Sequence, residues 1–512
     1  MSFLRFSPLF FVLALQANAG HSAPADEINS LTLTGALHAP ATVERVYALN
    51  PGPHWNEARL AALRDAILNS ATHGLEPAAY HGRLLSSSGL SSAERDVYAT
   101  DAYLALAGHL LGGMVKPLTL EPTWTAKGRE RDLALYFLEQ QDADSIGRSL
   151  EALAPSQPRY HRLREALIRY EIIAREGGWN AIAKGPALKP GDRSERVIAL
   201  RKRLLLGGDI EGGDDSPDLY DNALAEAVRV FQRRANLEPD GIVGPVTLRK
   251  LNLSAEQRVR QIKVNLERWR WLPDNLGRRH IRVNIADYRL ETHEGAEITE
   301  IYDVVVGRPY RQTPVFSASM SYLVLNPWWE TPRKLARLDL LPKFQENPAF
   351  IQEMGYQLLD SQGQVVDPVA VDWSSLGPAK FPFRVRQAPG DKNALGRVKF
   401  MFPNVHEVYL HDTPSRDLFS KTRRDFSSGC IRVSDPLDLA AWVLKSSPDW
   451  SRRRIEDVVA SGREMTVRLA DKVPVHLLYW TVVVNDETGD IRFVEDIYDR
   501  DTRIWEAMNA SQ

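Results

Sequence analysis

The segment KFMFPNVHEVYLHDTPSRDLFSKTRRDFSSGCIRVSDP, residues 399–436, contains the only cysteine of the chain, Cys430. The cysteine follows two serines and Gly429, small residues that allow a backbone to approach a ligand closely. Asp435 and Pro436 then form a helix-start signal, with proline in the first turn. The pattern predicts that Cys430 lies at a turn, where the N–H groups of Gly429 and Cys430 could stabilise an oxyanion.

A histidine upstream is a candidate base for this thiol. Residues 408–411 (VYLH) alternate apolar and polar side chains, which predicts a half-buried strand with Tyr409 and His411 on one face. A strand, a loop and a turn could return the chain from His411 to Cys430. The pair would suit nucleophilic acyl transfer, with a thiol pKa lowered from about 8.5 and the Tyr409 hydroxyl as an oxyanion donor. The alternative is that Cys430 is a small buried apolar residue and His411 is structural.

This region resembles the active-site signature of L,D-transpeptidases with a YkuD-type catalytic domain, in particular their large multidomain Gram-negative (YcbB-like) branch. The resemblance rests on the sequence HDTP at residues 411–414, on Leu418-Phe419 and Arg424, and on SSGCIRV at residues 427–433. The sequences NALG at residues 393–396, Lys399-Phe400 and FPN at residues 402–404 extend it. Many relatives have histidine at the position of Ser428, so His411 must act here as the single base.

The expected site combines these residues with the resemblance. The predicted catalytic residues are Cys430, His411, Gly429 and Tyr409, and the predicted substrate-binding residues are Arg432, Ser427, Ser428, Asn393, Trp328 and Trp329. Arg432 could instead form a structural ion pair, the serines could only shape the turn, and the tryptophans could only pack. No cofactor or metal is implied. A metallopeptidase site at His406-Glu407 is not expected, because His411 lies one residue too far along for His-Glu-x-x-His.

The resemblance also implies a substrate and a product. The donor would be a peptidoglycan tetrapeptide stem, which forms a thioester with Cys430 and releases D-alanine. A second diaminopimelate amine would then complete a 3→3 cross-link, carbapenems would acylate Cys430, and other wall synthases could be partners. The alternatives are L,D-carboxypeptidase hydrolysis, attachment of a lipoprotein to the wall by the same thiol, and a non-catalytic wall-binding scaffold.

Composition and the N-terminal segment set the context for this chemistry. A chain of 512 residues with 44% hydrophobic and 25% charged residues is typical of a soluble protein of about three domains. The net charge of −2 argues against a nucleic-acid partner. Residues 1–19 read as a secretory signal ending in Ala17-Asn18-Ala19, with a retained anchor as the alternative and no later membrane span. We therefore expect a periplasmic protein, in which a single cysteine excludes an internal disulfide.

Hydrophobic periodicity divides the chain after the signal at residues 1–19 into a multidomain α+β protein. We predict a helical scaffold domain (20–182), a three-helix module resembling peptidoglycan-binding domains (183–254), a β-rich catalytic domain (255–485) and a C-terminal tail (486–512). The catalytic domain is expected to carry an inserted, helix-like lid at about 328–380. The apolar run at residues 475–484 is predicted to be one strand of the catalytic sheet.

Overall fold

The computed structural model describes residues 36–140, 142–211 and 216–510, so the predicted signal at residues 1–19 lies outside it. The chain forms two compact units. The first contains the described residues up to 122, together with 126–274 and 481–510, and the second contains 123–125 and 275–480. Among the described residues, no helix is long and apolar enough to cross a membrane. The predicted α+β organisation is confirmed.

The N-terminal part of the first unit is helical. Its central helix, Ser92–Gly112, is capped by Ser91 and Glu94, whose side chains each bond the other residue's backbone N–H. Most of this helix is buried, because apolar and small residues lie on nearly all of its faces. The other helices of six or more residues in this part are Pro40–Leu49, Glu57–Asn69, Leu133–Leu138, Ala143–Glu151 and Pro158–Arg175.

The three-helix module follows, as predicted. Its helices are Glu195–Gly207, Asn222–Arg234 and Pro245–Leu251. The residues at helical spacing in the sequence form its buried core: Val197, Leu200, Leu204, Leu224, Val228, Phe231, Leu248 and Leu251. Gln232 closes the Asp240-Gly241 turn, because its side chain donates to Asp240 Oδ1 and accepts from the Gly241 N–H.

Helix Ala255–Arg270 packs against Pro158–Arg175 in the first unit, although the sequence prediction placed residue 255 in the catalytic domain. The C-terminal residues also join the first unit. Asn265 Oδ1 accepts the N–H groups of Thr481 and Val482, which directs the chain away from the catalytic sheet. The prediction of one strand at residues 475–484 is wrong, because the run divides into two strands that belong to different sheets. A helix, Arg500–Ala510, follows in the predicted tail.

The second unit is built on a large β-sheet. The strands of the described residues are β1 Arg279–Asn284, β2 Arg289–Glu294, β3 Glu297–Gly307, β4 Phe316–Leu325, β5 Trp329–Glu330, β6 Tyr356–Leu359, β7 Val365–Val366, β8 Arg384–Gln387, β9 Val398–Met401, β10 Leu410–His411, β11 Asp425–Ser427, β12 Ile431–Val433, β13 Met465–Leu478, β14 Val482–Val484 and β15 Ile491–Phe493. The large sheet has nine strands in the order β11-β3-β12-β10-β9-β4-β13-β1-β2. An additional pairing between β2 and β3 closes eight of these strands into a barrel-like ring, from which β11 branches. Helices Pro436–Val443 and Arg452–Ala460 belong to the same unit.

An insertion (residues 329–387) separates β4 from β9. It contains helices, as predicted, at Arg333–Leu335, Leu341–Glu346 and Ala349–Glu353, with a π-helical turn at Ala336–Leu340. Unlike the prediction, it also contains a four-stranded sheet with the order β5-β8-β6-β7. Its buried core includes Leu341, Phe344, Ile351, Leu358, Trp373 and Val385. The insertion is therefore a small subdomain with its own core.

Candidate active site

Three neighbouring strands bring the predicted catalytic residues together. The short strand β10 lies between β9 and β12, and His411 is in register with Lys399 on one side and Arg432 on the other. Cys430 immediately precedes β12, where the Ile431 N–H donates to the Tyr409 carbonyl oxygen over 3.1 Å. Tyr409 and Cys430 therefore lie at the starts of two adjoining strands and His411 lies in the first of them, although the three residues are up to 21 positions apart in the sequence.

The turn before Cys430 is closed by its own side chains. Ser427 is buried; its hydroxyl donates to the Cys430 carbonyl oxygen and accepts the Gly429 N–H over 3.1 Å. Thr313 donates its hydroxyl to the Gly429 carbonyl oxygen over 2.8 Å. Gly429 has a φ of 119°, a backbone conformation that other residues rarely adopt. The expectation that the Gly429 N–H is available to an oxyanion is corrected, since Ser427 accepts its hydrogen bond.

The Cys430 thiol is partly exposed and has a defined set of polar neighbours. The Tyr409 hydroxyl and backbone N–H both bond the sulfur, and the Glu407 carbonyl oxygen lies 3.9 Å from it. The hydroxyl of Tyr409 in turn accepts a hydrogen bond from the Trp329 side chain. Burial among these groups raises the pKa of the Cys430 thiol, although the Tyr409 bonds oppose the rise. The prediction of a lowered thiol pKa is therefore wrong for the free protein.

His411 is buried and held in one tautomer. Its Nδ1 lies within hydrogen-bond distance of the Asp412 carbonyl oxygen, which can only accept, so Nδ1 carries the proton and Nε2 is free to act as a base. Burial, with a smaller contribution from the Arg432 charge, lowers the pKa of His411 to about 3. The described residues show no hydrogen bond between the imidazole and the thiol of Cys430, and catalytic bonds of this type often shorten only when substrate binds.

The Asp412 side chain anchors the loop that carries this carbonyl. Its carboxylate accepts the Arg397 N–H over 2.8 Å and the Thr413 N–H over 2.6 Å. Gly396 packs directly against it, because a Cβ on Gly396 would lie 2.3 Å from Asp412 Cγ. The backbone carbonyl of Asp412 therefore orients the imidazole, and the Asp412 carboxylate holds the loop that carries this carbonyl.

Two cations lie near the thiol. Lys399, which was not among the predicted site residues, has its Nζ 4.1 Å from the centroid of the Tyr409 ring. Burial lowers the pKa of Lys399, and the charge of Cys430 opposes that shift. Lys399 lies opposite His411 in the pairing of β9 with β10, which depends on the fold and not on a local sequence pattern. Arg432 forms no ion pair with any residue that the structure describes, so the alternative of a structural ion pair is not observed.

The remaining predicted substrate-binding residues lie in different environments. Ser428 is exposed and accepts a hydrogen bond from Arg311 over 3.1 Å. Trp328 is partly buried and packs beneath the Arg386 guanidinium. Asn393 is buried, and its amide donates to the carbonyl oxygens of Pro327, Gln387 and Ala388. These bonds tie the ends of the insertion together, so Asn393 is corrected from a substrate-binding residue to a structural one.

A possible metal-ligating group lies in the other unit. The side chains of His38, His81 and Asp101 place one ligand atom each within 4.8 Å of the others. Asp101 also accepts the N–H groups of His38 and Ala39, at the start of helix Pro40–Leu49. These bonds hold the segment that leads into the helix, which gives Asp101 a structural role.

Comparisons with known proteins agree with this organisation. Residues 278–473 match the family described as "L,D-transpeptidase catalytic domain" (YkuD), residues 41–167 match "Scaffold domain", and residues 193–251 match "Putative peptidoglycan binding domain". A Haemophilus influenzae protein named "Putative L,D-transpeptidase" is 40% identical over 252 residues, which are 49% of this chain and 50% of that protein. The chain thus spans about half the length of that curated relative.

Two solved structures show remote similarity. An L,D-transpeptidase from Xylanimonas cellulosilytica is 14% identical, with a TM-score of 0.17, and the match covers 58% of this chain and 99% of that one. A fused Zn-dependent amidase/peptidase/peptidoglycan-binding domain-containing protein from Clostridium acetobutylicum is 15% identical, with a TM-score of 0.13 and coverage of 27% and 70%.

Proposed function

We propose that this chain, whose residues 278–473 form a YkuD-type L,D-transpeptidase catalytic domain, is a cysteine acyltransferase that makes 3→3 cross-links in peptidoglycan. The observation that carries the proposal is the arrangement around Cys430. A partly exposed thiol, bonded by Tyr409, lies at the start of a strand that adjoins the strand of a buried histidine, and the Nε2 of this histidine is unprotonated. The peptidoglycan-binding module supports a wall substrate.

The high thiol pKa and the low imidazole pKa favour a neutral resting pair over a thiolate–imidazolium ion pair. The proton therefore moves during attack. His411 Nε2 removes the proton of Cys430 as the sulfur attacks the carbonyl carbon at the L-centre of the donor diaminopimelate. The tetrahedral intermediate then collapses to a thioester, and the imidazolium gives its proton to the leaving amine of D-alanine.

The second half of the reaction uses the same groups. His411 Nε2 takes a proton from the side-chain amine of an acceptor diaminopimelate, and the nitrogen attacks the thioester. The new amide bond forms as the sulfur leaves and regains a proton from His411. The Tyr409 hydroxyl, already bonded to the sulfur, is close enough to assist the oxyanion, and one such donor is typically worth about 10²–10³ in rate.

Product analysis tests this function. The full chain and its Cys430→Ala variant are incubated with disaccharide-tetrapeptide, and mass spectrometry follows the cross-linked dimer and D-alanine. Dimer and D-alanine from the parent chain alone support the transpeptidase. D-alanine without dimer would instead identify an L,D-carboxypeptidase, and transfer only to a lipoprotein amine would identify an anchoring enzyme. No change in either sample would leave a wall-binding scaffold and overturn the proposal.

The site also supports two further expectations. Carbapenems should acylate Cys430, because a thiol placed to attack an amide carbonyl can attack a strained lactam.

The wall substrate requires an extracytoplasmic protein, and a periplasmic location with other wall synthases nearby is the setting we propose. Assignment to the large Gram-negative branch rests on the sequence resemblance alone.

A further inference from the structure

Three side chains from separate parts of the sequence converge in the helical region of the first unit. His38 lies just before helix Pro40–Leu49, and His81 lies in a turn. Asp101 lies in the central helix of this region. One ligand atom from each side chain lies within 4.8 Å of the other two. The proposed transpeptidase chemistry does not use this group of residues, so it requires a separate explanation.

The carboxylate of Asp101 is fully buried and is fixed by several hydrogen bonds. Its Oδ1 accepts the Ala39 N–H over 2.8 Å, and its Oδ2 accepts the His38 N–H over 2.9 Å. The same Oδ2 lies 2.7 Å from Nε2 of His81. Asp101 therefore holds the backbone beside one histidine and the ring of the other, which brings both imidazoles to a single carboxylate.

The two imidazole rings lie side by side, with centroids 4.7 Å apart and planes tilted by 35°. Tyr98 contacts the His81 ring edge-on at a centroid distance of 5.1 Å, which limits the rotation of that ring. The exposed ring of His38 forms no hydrogen bond with any residue that the structure describes. The rings of His73 and His109 in the same region each lie 2.9 Å from a tyrosine hydroxyl. The His38 imidazole is thus available to bind a ligand.

We propose that His38, His81 and Asp101 bind one Zn²⁺ ion. Two imidazole nitrogens and one carboxylate oxygen suit Zn²⁺, whereas Mg²⁺ and Ca²⁺ prefer oxygen ligands. The ion takes the place of the proton shared by His81 Nε2 and Asp101 Oδ2, and that proton moves to Nδ1 of His81. Zn–N and Zn–O bonds of about 2.0–2.2 Å require these two atoms to separate by only about 0.5 Å.

A Zn²⁺ ion at this position would have both a solvent side and a structural effect. Because His38 is exposed, water can occupy the fourth position of a tetrahedral site. On the protein side, the ion would connect the segment before helix Pro40–Leu49 to the buried central helix through side chains as well as through the bonds of Asp101. Bound metal should therefore stabilise the helical region of the first unit.

Metal titration of the full chain tests the site and requires neither peptidoglycan nor turnover. The chain is purified without a polyhistidine tag and carries Cys430→Ala, so that its only thiol cannot bind the metal. Calorimetry with Zn²⁺ gives the stoichiometry and Kd, and the visible absorption of Co²⁺ reports the coordination geometry. We expect one ion per chain and a rise in Tm of at least about 2 °C at a Zn²⁺ excess of about 100 Kd.

Matched variants assign the binding to these residues. His38→Ala removes an exposed ring, and His81→Asn retains a residue that tolerates the left-handed φ of 53° at this position. Loss of either ligand should raise Kd at least about tenfold. His161→Ala, which removes an exposed histidine of helix Pro158–Arg175, is the control and should leave Kd unchanged.

Three results would overturn the zinc site. The first is the absence of Zn²⁺ binding in the parent chain, which would leave the bond between His81 and Asp101 as a purely structural one. The second is an equal Kd in the parent chain and in His38→Ala, a variant that decides the question even if His81→Asn does not fold. The third is displacement of Zn²⁺ by an equimolar amount of Ca²⁺, which would contradict the nitrogen ligands.

Discussion

Arg311 and Asp339 join the insertion to the catalytic turn. The two side chains form a bidentate ion pair, and Arg311 Nη1 also donates to Ser428, two positions before Cys430. Asp339 lies in the π-helical turn of the insertion, so the pair connects that subdomain directly with the loop beside the thiol. The position of the insertion and the shape of the site are therefore linked through one guanidinium.

Loss of this pair should weaken catalysis while the fold is retained. Asp339→Asn removes the charge that holds Arg311, and a partly exposed pair is worth up to about 1 kcal/mol. We expect kcat/KM to fall about two- to fivefold. Glu330→Gln, which breaks the exposed pair with Arg384 in the same subdomain, should leave activity unchanged. Equal effects of the two substitutions would show that Arg311 does not couple the insertion to the site.

The pH dependence of activity should reflect the buried imidazole. His411 must be neutral to accept a proton, and its pKa is lowered to about 3, so the base remains competent well below the usual histidine pKa of about 6.5. The acid limb of kcat/KM should therefore lie near pH 3–4, measured from initial rates with circular dichroism to verify the fold. His411→Gln should reduce kcat by about 10²–10⁴. An acid limb near pH 6.5 would contradict the assigned environment.

The Tyr409 hydroxyl should influence thiol ionisation. Since burial raises the thiol pKa and Tyr409 opposes that rise, alkylation of Cys430 by iodoacetamide should increase with pH through a midpoint above about 8.5. Tyr409→Phe removes a donor to the thiolate and should raise that midpoint further, by about one unit. Tyr322→Phe, in β4, alters a partly buried tyrosine outside the site and serves as the control. A midpoint that is unchanged or lower in Tyr409→Phe would contradict the hydrogen bond.

Gly396→Ala should affect both stability and activity. The new Cβ would lie 2.3 Å from Asp412 Cγ, and the glycine φ of 59° disfavours any other residue. Unfolding by urea should show a loss of about 1–3 kcal/mol, with lower kcat because Asp412 supports the orientation of His411. Gly363→Ala has a similar φ of 79° but open space around the Cβ, so it separates backbone strain from the clash. Equal losses in both variants would show that the Asp412 contact is not important.

Acid should destabilise the chain partly through His280. This ring is buried, stacks on His293 with centroids 4.5 Å apart, and leaves its Nε2 unpartnered. Burial lowers the pKa of His280 in the folded protein to about 3. As the pH falls, this histidine is therefore protonated first in the unfolded chain, near pH 6.5, and the stability of the folded protein decreases between about pH 6.5 and pH 3. His280→Phe should flatten the stability curve there by up to about 1.4 kcal/mol per pH unit. Parallel curves for the parent chain and the variant would contradict this.

The sequence predicted the parts of the fold and site that depend on local patterns. Helical spacing identified the core of the three-helix module, including Val228 and Phe231, and alternation placed Tyr409 and His411 on one face. The motif around Cys430 marked the turn, because small residues and a following helix start are local signals. The structure places Tyr409 and Cys430 at the starts of adjacent strands, a pairing that the sequence left open.

Long-range contacts could not be predicted in the same way. Strands β5 and β7 have two residues each, too few for a periodic pattern, so the sheet of the insertion was not expected. The bond from the Trp329 side chain to Tyr409 joins residues 80 positions apart and depends on where the insertion folds. Hydrophobicity predicted that residues 475–484 are buried. It could not show that the Thr481 N–H donates to Asn265, so that the end of this run joins the first unit and not the catalytic sheet. The pairing of Arg311 with Asp339 likewise depends on packing between distant elements.

The raised thiol pKa also affects how Cys430 survives between turnovers. Peroxide and disulfides react with thiolates, so a cysteine kept protonated is oxidised slowly to sulfenic acid and exchanges slowly with other disulfides. No second cysteine in the chain could resolve such damage as an internal disulfide. In an oxidising compartment, the same burial that delays thiolate formation until substrate arrives would thus protect the nucleophile from irreversible loss.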